Sequence, residues 1–260
     1  MPRLLTYNVH RCVGTDRRLD VGRIAAVIAE QEPDIVCLQE LDVGRARTGH
    51  VDQAEAIARD LTMTFHFNAA MRIEAEEYGD AILTLRPERL VKSGALPTIR
   101  GVPGLEPRGA VWVEIDFDGV PLNVINTHLG LVPREQRLQA AALIGSGWLA
   151  HPERVGPTIL TGDFNATSIT RPYRTFTSRL ADAQRLLGLK PSVKTFPSTF
   201  PTIRIDHAFV TPEIVPTRIW APRSPLARAA SDHLPLVMDF EIRPTEAAAC
   251  AATEPGGATA

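Results

Sequence analysis

Side chains that bind metals or move protons stand where apolar runs of this chain end. Asn8 follows Arg3-Leu4-Leu5-Thr6-Tyr7, Glu40 follows Asp34–Gln39, and His128 follows Leu122–Thr127. Asp163 and Asn165 follow Thr158-Ile159-Leu160-Thr161-Gly162, and Asp206 stands inside the apolar run Ile203–Val210. Asp232-His233 opens the last run, before Leu234. Strand side chains alternate, so Asp163 and Asn165 are predicted to point one way and Phe164 the other. A carboxylate beside a carboxamide suits metal-assisted attack on phosphorus: one activates a water while the other holds a non-bridging oxygen.

Taken singly, most of these residues have an ordinary role. Asn8 suits a turn, Glu40 a solvated loop, His128 a satisfied core position and Asp232-His233 a polar turn. Asp206 is harder to place, because a carboxylate in an apolar strand needs a partner when buried. Gathered at strand ends, where loops converge on a rigid scaffold, they make an oxygen-rich site for a hard cation, with imidazoles to handle protons and charge.

The elements that must position them are legible in outline. Runs Leu4–Val9, Asp34–Gln39, Phe65–Asn68, Ala81–Leu85, Leu90–Ala95, Ala110–Phe117, Leu122–His128, Thr158–Asp163, Ile203–Val210, Ile214–Trp220 and Leu234–Ile242 read as strands. Asp118-Gly119 marks a hairpin turn. A helix capped by Asp20 carries Val21, Ile24 and Ile28 on one face and ends before Pro33. A second spans Val51–Leu61. A third starts at Pro133 and runs to about Leu149, with Leu138, Ala141, Gly145 and Trp148 on one face, and a fourth follows Thr167. So many strands with so few helices imply two sheets packed face to face with helices outside. Residues 1–243 read as one domain, and the small, polar stretch 244–260 as a disordered tail.

Six segments carry a resemblance: Tyr7-Asn8, Leu38-Gln39-Glu40, Asn126-Thr127-His128-Leu129, Gly162-Asp163-Phe164-Asn165, Arg204-Ile205-Asp206-His207 and Ser231-Asp232-His233. In this order they resemble the successive motifs of the endonuclease/exonuclease/phosphatase superfamily. The resemblance implies a four-layer α/β/β/α sandwich of two similar halves and phosphoester hydrolysis with Mg²⁺, or Mn²⁺ as substitute. It implies Glu40 as the main metal ligand with Asn8 beside it, and Asp232 near the metal or a second metal position. Asp163 would orient or deprotonate the attacking water, Asn165 would hold the phosphate, and Asp206 would hold His233 through its second ring nitrogen. Whether Asp163 or His233 is the base stays open at this level.

His128 is shared with two-histidine members such as pancreatic deoxyribonuclease, bacterial sphingomyelinases and inositol-phosphate 5-phosphatases. Further segments resemble a bacterial subgroup near the sphingomyelinases and add Arg108, His10 and Arg47 as candidate substrate contacts. The family often has Gly-Asn-Ala where this chain has Gly79-Asp80-Ala81. If Asp80 faces the site, its charge disfavours a dense polyanion.

Composition narrows the substrate. The net charge is -2 and aromatics are 6% of the chain, which weakens a nuclease reading without closing it. A small or lipid-linked phosphodiester is the leading expectation, a nuclease the alternative, and a non-catalytic phosphate-binding protein a third. Trp112, Phe196 and Phe200 are candidates for the mouth of the site, the two phenylalanines as an apolar lip or as core. Cys12, Cys37 and Cys250 have no ligand-like spacing and are expected to be small core residues in a reducing compartment. No apolar segment approaches the ~18 residues of a membrane span, and a cytoplasmic location is the expectation.

Overall fold

Period-two alternation sorts this chain into layers. The structure, a computed structural model, describes residues 1–99 and 101–243. Its strands are β1 (Arg3–Asn8), β2 (Ile35–Val43), β3 (Thr64–Ile73), β4 (Glu76–Thr84), β5 (Glu88–Ala95), β6 (Gly109–Phe117), β7 (Val120–His128), β8 (Thr158–Asp163), β9 (Ala181–Asp182), β10 (Asp206–Val210), β11 (Ile214–Trp220) and β12 (Leu236–Ile242). The helices are α1 (Val21–Ala29), α2 (Gln53–Leu61), α3 (Pro133–Ile144), α4 (Arg171–Thr177), α5 (Ala183–Leu186) and α6 (Pro225–Ala230). One sheet has the order β11-β12-β1-β2-β4-β3 and the other β5-β6-β7-β8-β10-β9.

The two halves are built alike. Each sheet centres on a parallel pair, β1 with β2 and β7 with β8, flanked by antiparallel neighbours. A parallel pair needs a crossover, which α1 supplies in one half and α3 in the other. Inward residues Leu4, Ile35, Cys37, Val124, Ile159 and Val210 fill the space between the sheets. Outward residues Leu5, Tyr7, Val36 and Leu38 pack on α1, α2 and α6. Ile125, Leu160 and Phe209 do so against α3 and α4. The result is an α/β/β/α sandwich, as expected.

Along the inward rows the chemistry changes toward one end. On β1 it runs Leu4, Thr6, Asn8; on β7 Val124, Asn126, His128; on β8 Ile159, Thr161, Asp163. The middle rung joins the sheets: Gln39 Nε2 donates to Thr6 Oγ1 at 3.0 Å and to Asn126 Oδ1 at 2.8 Å. Asn126 Nδ2 returns to the carbonyls of Leu38 and Ala81, at 2.8 and 2.9 Å. All of these groups are buried, where an unmade hydrogen bond is costly.

Several expectations are corrected. The third helix ends at Ile144, where Gly145 turns extended, and its buried face is Glu135, Gln136, Gln139, Ala140 and Leu143, while Leu138 is exposed. Polar side chains line that face because they bind loop backbone at the mouth: Gly130 N–H donates to Gln139 Oε1, and Gln136 Nε2 donates to the Gly130 and Asn165 carbonyls. Asp206 does not interrupt a strand but opens β10. Just before it, the Arg204 guanidinium grips both oxygens of Asp182 at 2.7 and 2.8 Å, fixing the entry into that strand. Trp112 is fully buried under α3, with its indole N–H on Asn123. The Asp118-Gly119 hairpin stands, both residues having positive φ as a two-residue turn requires. Cys12 and Cys37 are buried free thiols; Cys250 and the expected tail 244–260 lie outside the described residues. No helix among the described residues is long and apolar enough to cross a membrane.

Replacing Asn126 by Leu removes the buried link between the sheets, taking a partner from the Gln39 amide and from the Leu38 and Ala81 carbonyls. It is expected to lower the unfolding free energy by about 2–4 kcal/mol, measured by urea denaturation.

Candidate active site

The polar ends of the two parallel pairs meet across the sandwich. Asn8 Nδ2 donates to Glu40 Oε1 at 2.9 Å and to Asp163 Oδ2 at 3.0 Å, so one amide spans the two sheets. Its oxygen is occupied, accepting from the His10 N–H at 3.0 Å. The Asn8 amide therefore braces two carboxylates and does not turn its oxygen between them.

Glu40 reaches this position through a bulge. The sequence reads β2 as ending at Gln39, but the strand continues to Val43, with Gln39 and Glu40 together opposing Asp80 of β4. Glu40 takes φ 63°, and the bulge aims its side chain at the mouth.

The Gly162-Asp163-Phe164-Asn165 turn is explained residue by residue. Gly162 has φ 138°, and a Cβ there would lie 1.9 Å from the Thr127 carbonyl, so only glycine lets β8 approach β7 so closely. Phe164 anchors the turn in the helix-side core against Phe176 and Phe209. Asp163 and Asn165 do not share a strand face as predicted, because the strand stops at Asp163. Asn165 has φ 47°, its N–H donates to Asp163 Oδ1 at 2.9 Å, and this Asx turn brings its side chain back to the site. There its amide lies 3.0 Å from His128 Nε2 and donates to the Leu129 carbonyl.

Both histidines face Asp163, in opposite protonation states. Asp206 Oδ2 lies 3.0 Å from His233 Nδ1 and also accepts from the Thr195 hydroxyl. His233 Nε2 is 3.6 Å from Asp163 Oδ2. Burial alone would neutralise this ring, but the carboxylates of Asp206 and Asp163 outweigh it and raise the pKa to about 10. His128 Nε2 is 3.5 Å from the same oxygen, while its Nδ1 lies 3.0 Å from Arg108 Nη1. A guanidinium only donates, so Nδ1 accepts, while Nε2 lies between the Asn165 amide nitrogen at 3.0 Å and Asp163 Oδ2 at 3.5 Å. Burial, then the Arg108 and His233 charges, hold His128 well below its ordinary pKa. Burial likewise raises Asp163, although His233 opposes it.

The remaining candidates divide. Arg108 is buried, beside His128 and paired with Glu106 at 2.9 Å. Asp80 is buried, facing Arg108 and Glu40, and burial pushes its carboxyl up to about 8. Arg47 is committed to a bidentate pair with buried Asp42, 2.7 Å on each arm, and touches the site only through the face of Tyr78. His10 Nδ1 faces the Val13 carbonyl and lies 3.9 Å from Asp232, whose carboxylate is half-exposed at the rim. Phe196 packs on the His233 ring, 4.8 Å between centroids, whereas Phe200 projects into solvent. Sequence reasoning assigned no role to Gln39, Asn126, Gln136 or Thr195, which hold the site together. The polar interruption of apolar alternation at Gln39 and Asn126 was the available signal; Thr195 offered none.

The donor set suits a hard cation. Glu40, Asp80, Asp163 and Asp206 crowd one mouth, Asp206 Oδ1 is buried with no partner among the described residues, and atoms of Asp163, Asp206 and His233 lie within 4.8 Å of one another. Oxygen ligands of this kind fit Mg²⁺ or Mn²⁺.

A profile of the endonuclease/exonuclease/phosphatase family matches residues 5–233, the span that holds every one of these side chains. The chain belongs to that family. Solved structures share the family fold. An endonuclease/exonuclease/phosphatase from Beutenbergia cavernae is 24% identical, with 93% of this chain and 72% of that one covered and a TM-score of 0.69. The mannosyl-6-phosphatase of Bacteroides thetaiotaomicron is 21% identical, covering 93% and 100%, with a TM-score of 0.74. The human Nocturnin catalytic domain with bound sulfate is 22% identical, covering 93% and 94%, with a TM-score of 0.68. No curated protein matches the chain significantly.

Replacing Asp206 by Asn removes the main charge that keeps His233 protonated. The His233 titration, followed by NMR of the imidazole, is expected to move down from about 10. A raised imidazole pKa stabilises the fold fully below about 6.5 and loses that contribution as pH rises through the folded value. The variant should therefore lose stability mainly at neutral and lower pH.

Proposed function

We propose that the protein is a divalent-metal-dependent phosphoester hydrolase acting on a small or lipid-linked phosphodiester. The observation that carries this reading is the surround of Asp163 Oδ2: it accepts from Asn8 and faces the Nε2 atoms of both His128 and His233. Burial makes Asp163 a stronger base than a solvated aspartate, which suits it to take a proton from water.

The imidazolium of His233, held by Asp206, neutralises the charge that gathers beside that base. His233 and Asp163 are 3.6 Å apart, too close to serve opposite apical oxygens of an in-line displacement. Both therefore work on the side of the attacking water. Neutral His128 and the Asn165 amide flank the position of the non-bridging phosphoryl oxygens, the amide N–H as donor. Glu40 would hold Mg²⁺, with Asp232 at the rim near it and Asn8 bracing Glu40. Asp206 is already committed to His233, which favours Glu40 over the Asp163, Asp206 and His233 group as the ion's anchor. When bound, the ion supplies neutralisation of charge on the phosphoryl oxygens.

The near-neutral chain and its two-histidine site support a substrate of low charge density. Glu40→Gln is expected to lower hydrolysis of bis-p-nitrophenyl phosphate by about two orders of magnitude or more with the circular dichroism spectrum unchanged. Chelation should abolish wild-type turnover and added Mg²⁺ should restore it. Near-normal turnover of the variant would remove Glu40 from the metal site.

A further inference from the structure

The loops that follow His128 and Asn165 end in exposed aliphatic side chains. Leu131 is 72% exposed and Ile169 77%, and Val132 is exposed beside Leu131. The two loops are locked side by side: Gln136 Nε2 donates to the Gly130 and Asn165 carbonyls, both at 2.8 Å, and the Asn165 amide donates to Leu129. Helices α3 and α4, which begin directly after these tips, pack on each other.

The exposed charge of the two segments is basic. Residues 129–138 and 166–175 hold Arg134, Arg137, Arg171 and Arg174, all exposed and none in an ion pair with a described residue, and Arg174 Nη2 donates to the Ile169 carbonyl at 2.9 Å. Their single acid, Glu135, is buried and accepts from Thr98. Between this face and the site lies a cavity of about 430 Å³, bordered by Leu105, Leu131 and Val132, with the Glu106–Arg108 pair and Glu135 in its wall and Arg108 as its link to His128. Isolated exposed aliphatics need no explanation, but aliphatic tips followed in the same segments by exposed arginines free of acidic partners, beside the mouth, match an anionic lipid surface.

We propose that this face seats the mouth on an anionic phospholipid surface. Leu131, Val132 and Ile169 enter the acyl boundary, while Arg134, Arg137, Arg171 and Arg174 meet headgroup phosphates. The inference rests on the hydrolase reading for its purpose and narrows the substrate to a phosphoester presented at a lipid surface.

The test is co-sedimentation of the full chain with vesicles of phosphatidylcholine alone or mixed with phosphatidylglycerol. Binding to the mixed vesicles is expected, weakened about tenfold or more by Arg134→Glu with Arg171→Glu, and also by Leu131→Asp with Ile169→Asp. Hydrolysis of soluble bis-p-nitrophenyl phosphate should be unchanged in both double variants, which also shows that they fold. Wild-type turnover of that compound without vesicle binding would overturn the docking face and leave the hydrolase reading standing. Vesicle binding without turnover would do the reverse. If the arginine reversals abolish a duplex-DNA gel shift and the aliphatic substitutions weaken no vesicle binding, the face serves nucleic acid and the proposal falls.

Discussion

The hydrogen bond between Gln39 and Asn126 governs how the two halves meet. An inter-sheet core of Leu4, Ile35, Val124 and Ile159 excludes water, but apolar contact is non-directional and tolerates sliding. A buried amide pair does not, because slippage leaves several polar groups unpaired at once. The pair sits one rung below the mouth, on strands that carry Glu40 and His128 just beyond it. Asn8 then has only to span a gap whose width is already set.

Fixed geometry lets identical side chains take different charge. His233 and His128 are both buried and both within 3.6 Å of Asp163. What separates them is the group behind each ring: a carboxylate behind His233, a guanidinium behind His128. The site thus favours a cationic imidazole on one flank of the carboxylate and a neutral one on the other. Two site residues, Glu40 and Asn165, also take left-handed backbone conformations. The phenyl ring of Phe164 and the bulge opposite Asp80 hold those conformations.

Much of this was legible in the sequence because strand alternation is a one-dimensional signal. Leu4-Leu5-Thr6-Tyr7-Asn8 already states which residues face inward and that the inward row turns polar. The same logic failed where the chain left the strand. Asp163 and Asn165 sit two apart, yet the Asx turn, not the pleat, brings them together. Leu38-Gln39-Glu40-Leu41 reads equally as a strand end or a bulge, and only pairing with β4 decides between them. Helix α3 was misread because hydrophobic periodicity assumes that a buried face is apolar, and Gln136 and Gln139 are buried to satisfy loop backbone. Trp112 was placed by its chemistry, whereas its strand register puts it under α3.

That helix separates two demands that usually compete. Its inner side holds the loops at the mouth through amides that tolerate little change, while its outer side, with Arg134, Arg137 and Leu138, carries none of that duty. Mutation on the outer side can therefore explore new surfaces around an unaltered catalytic mouth. A lineage with this arrangement can diversify what it recognises without first rebuilding how it cuts.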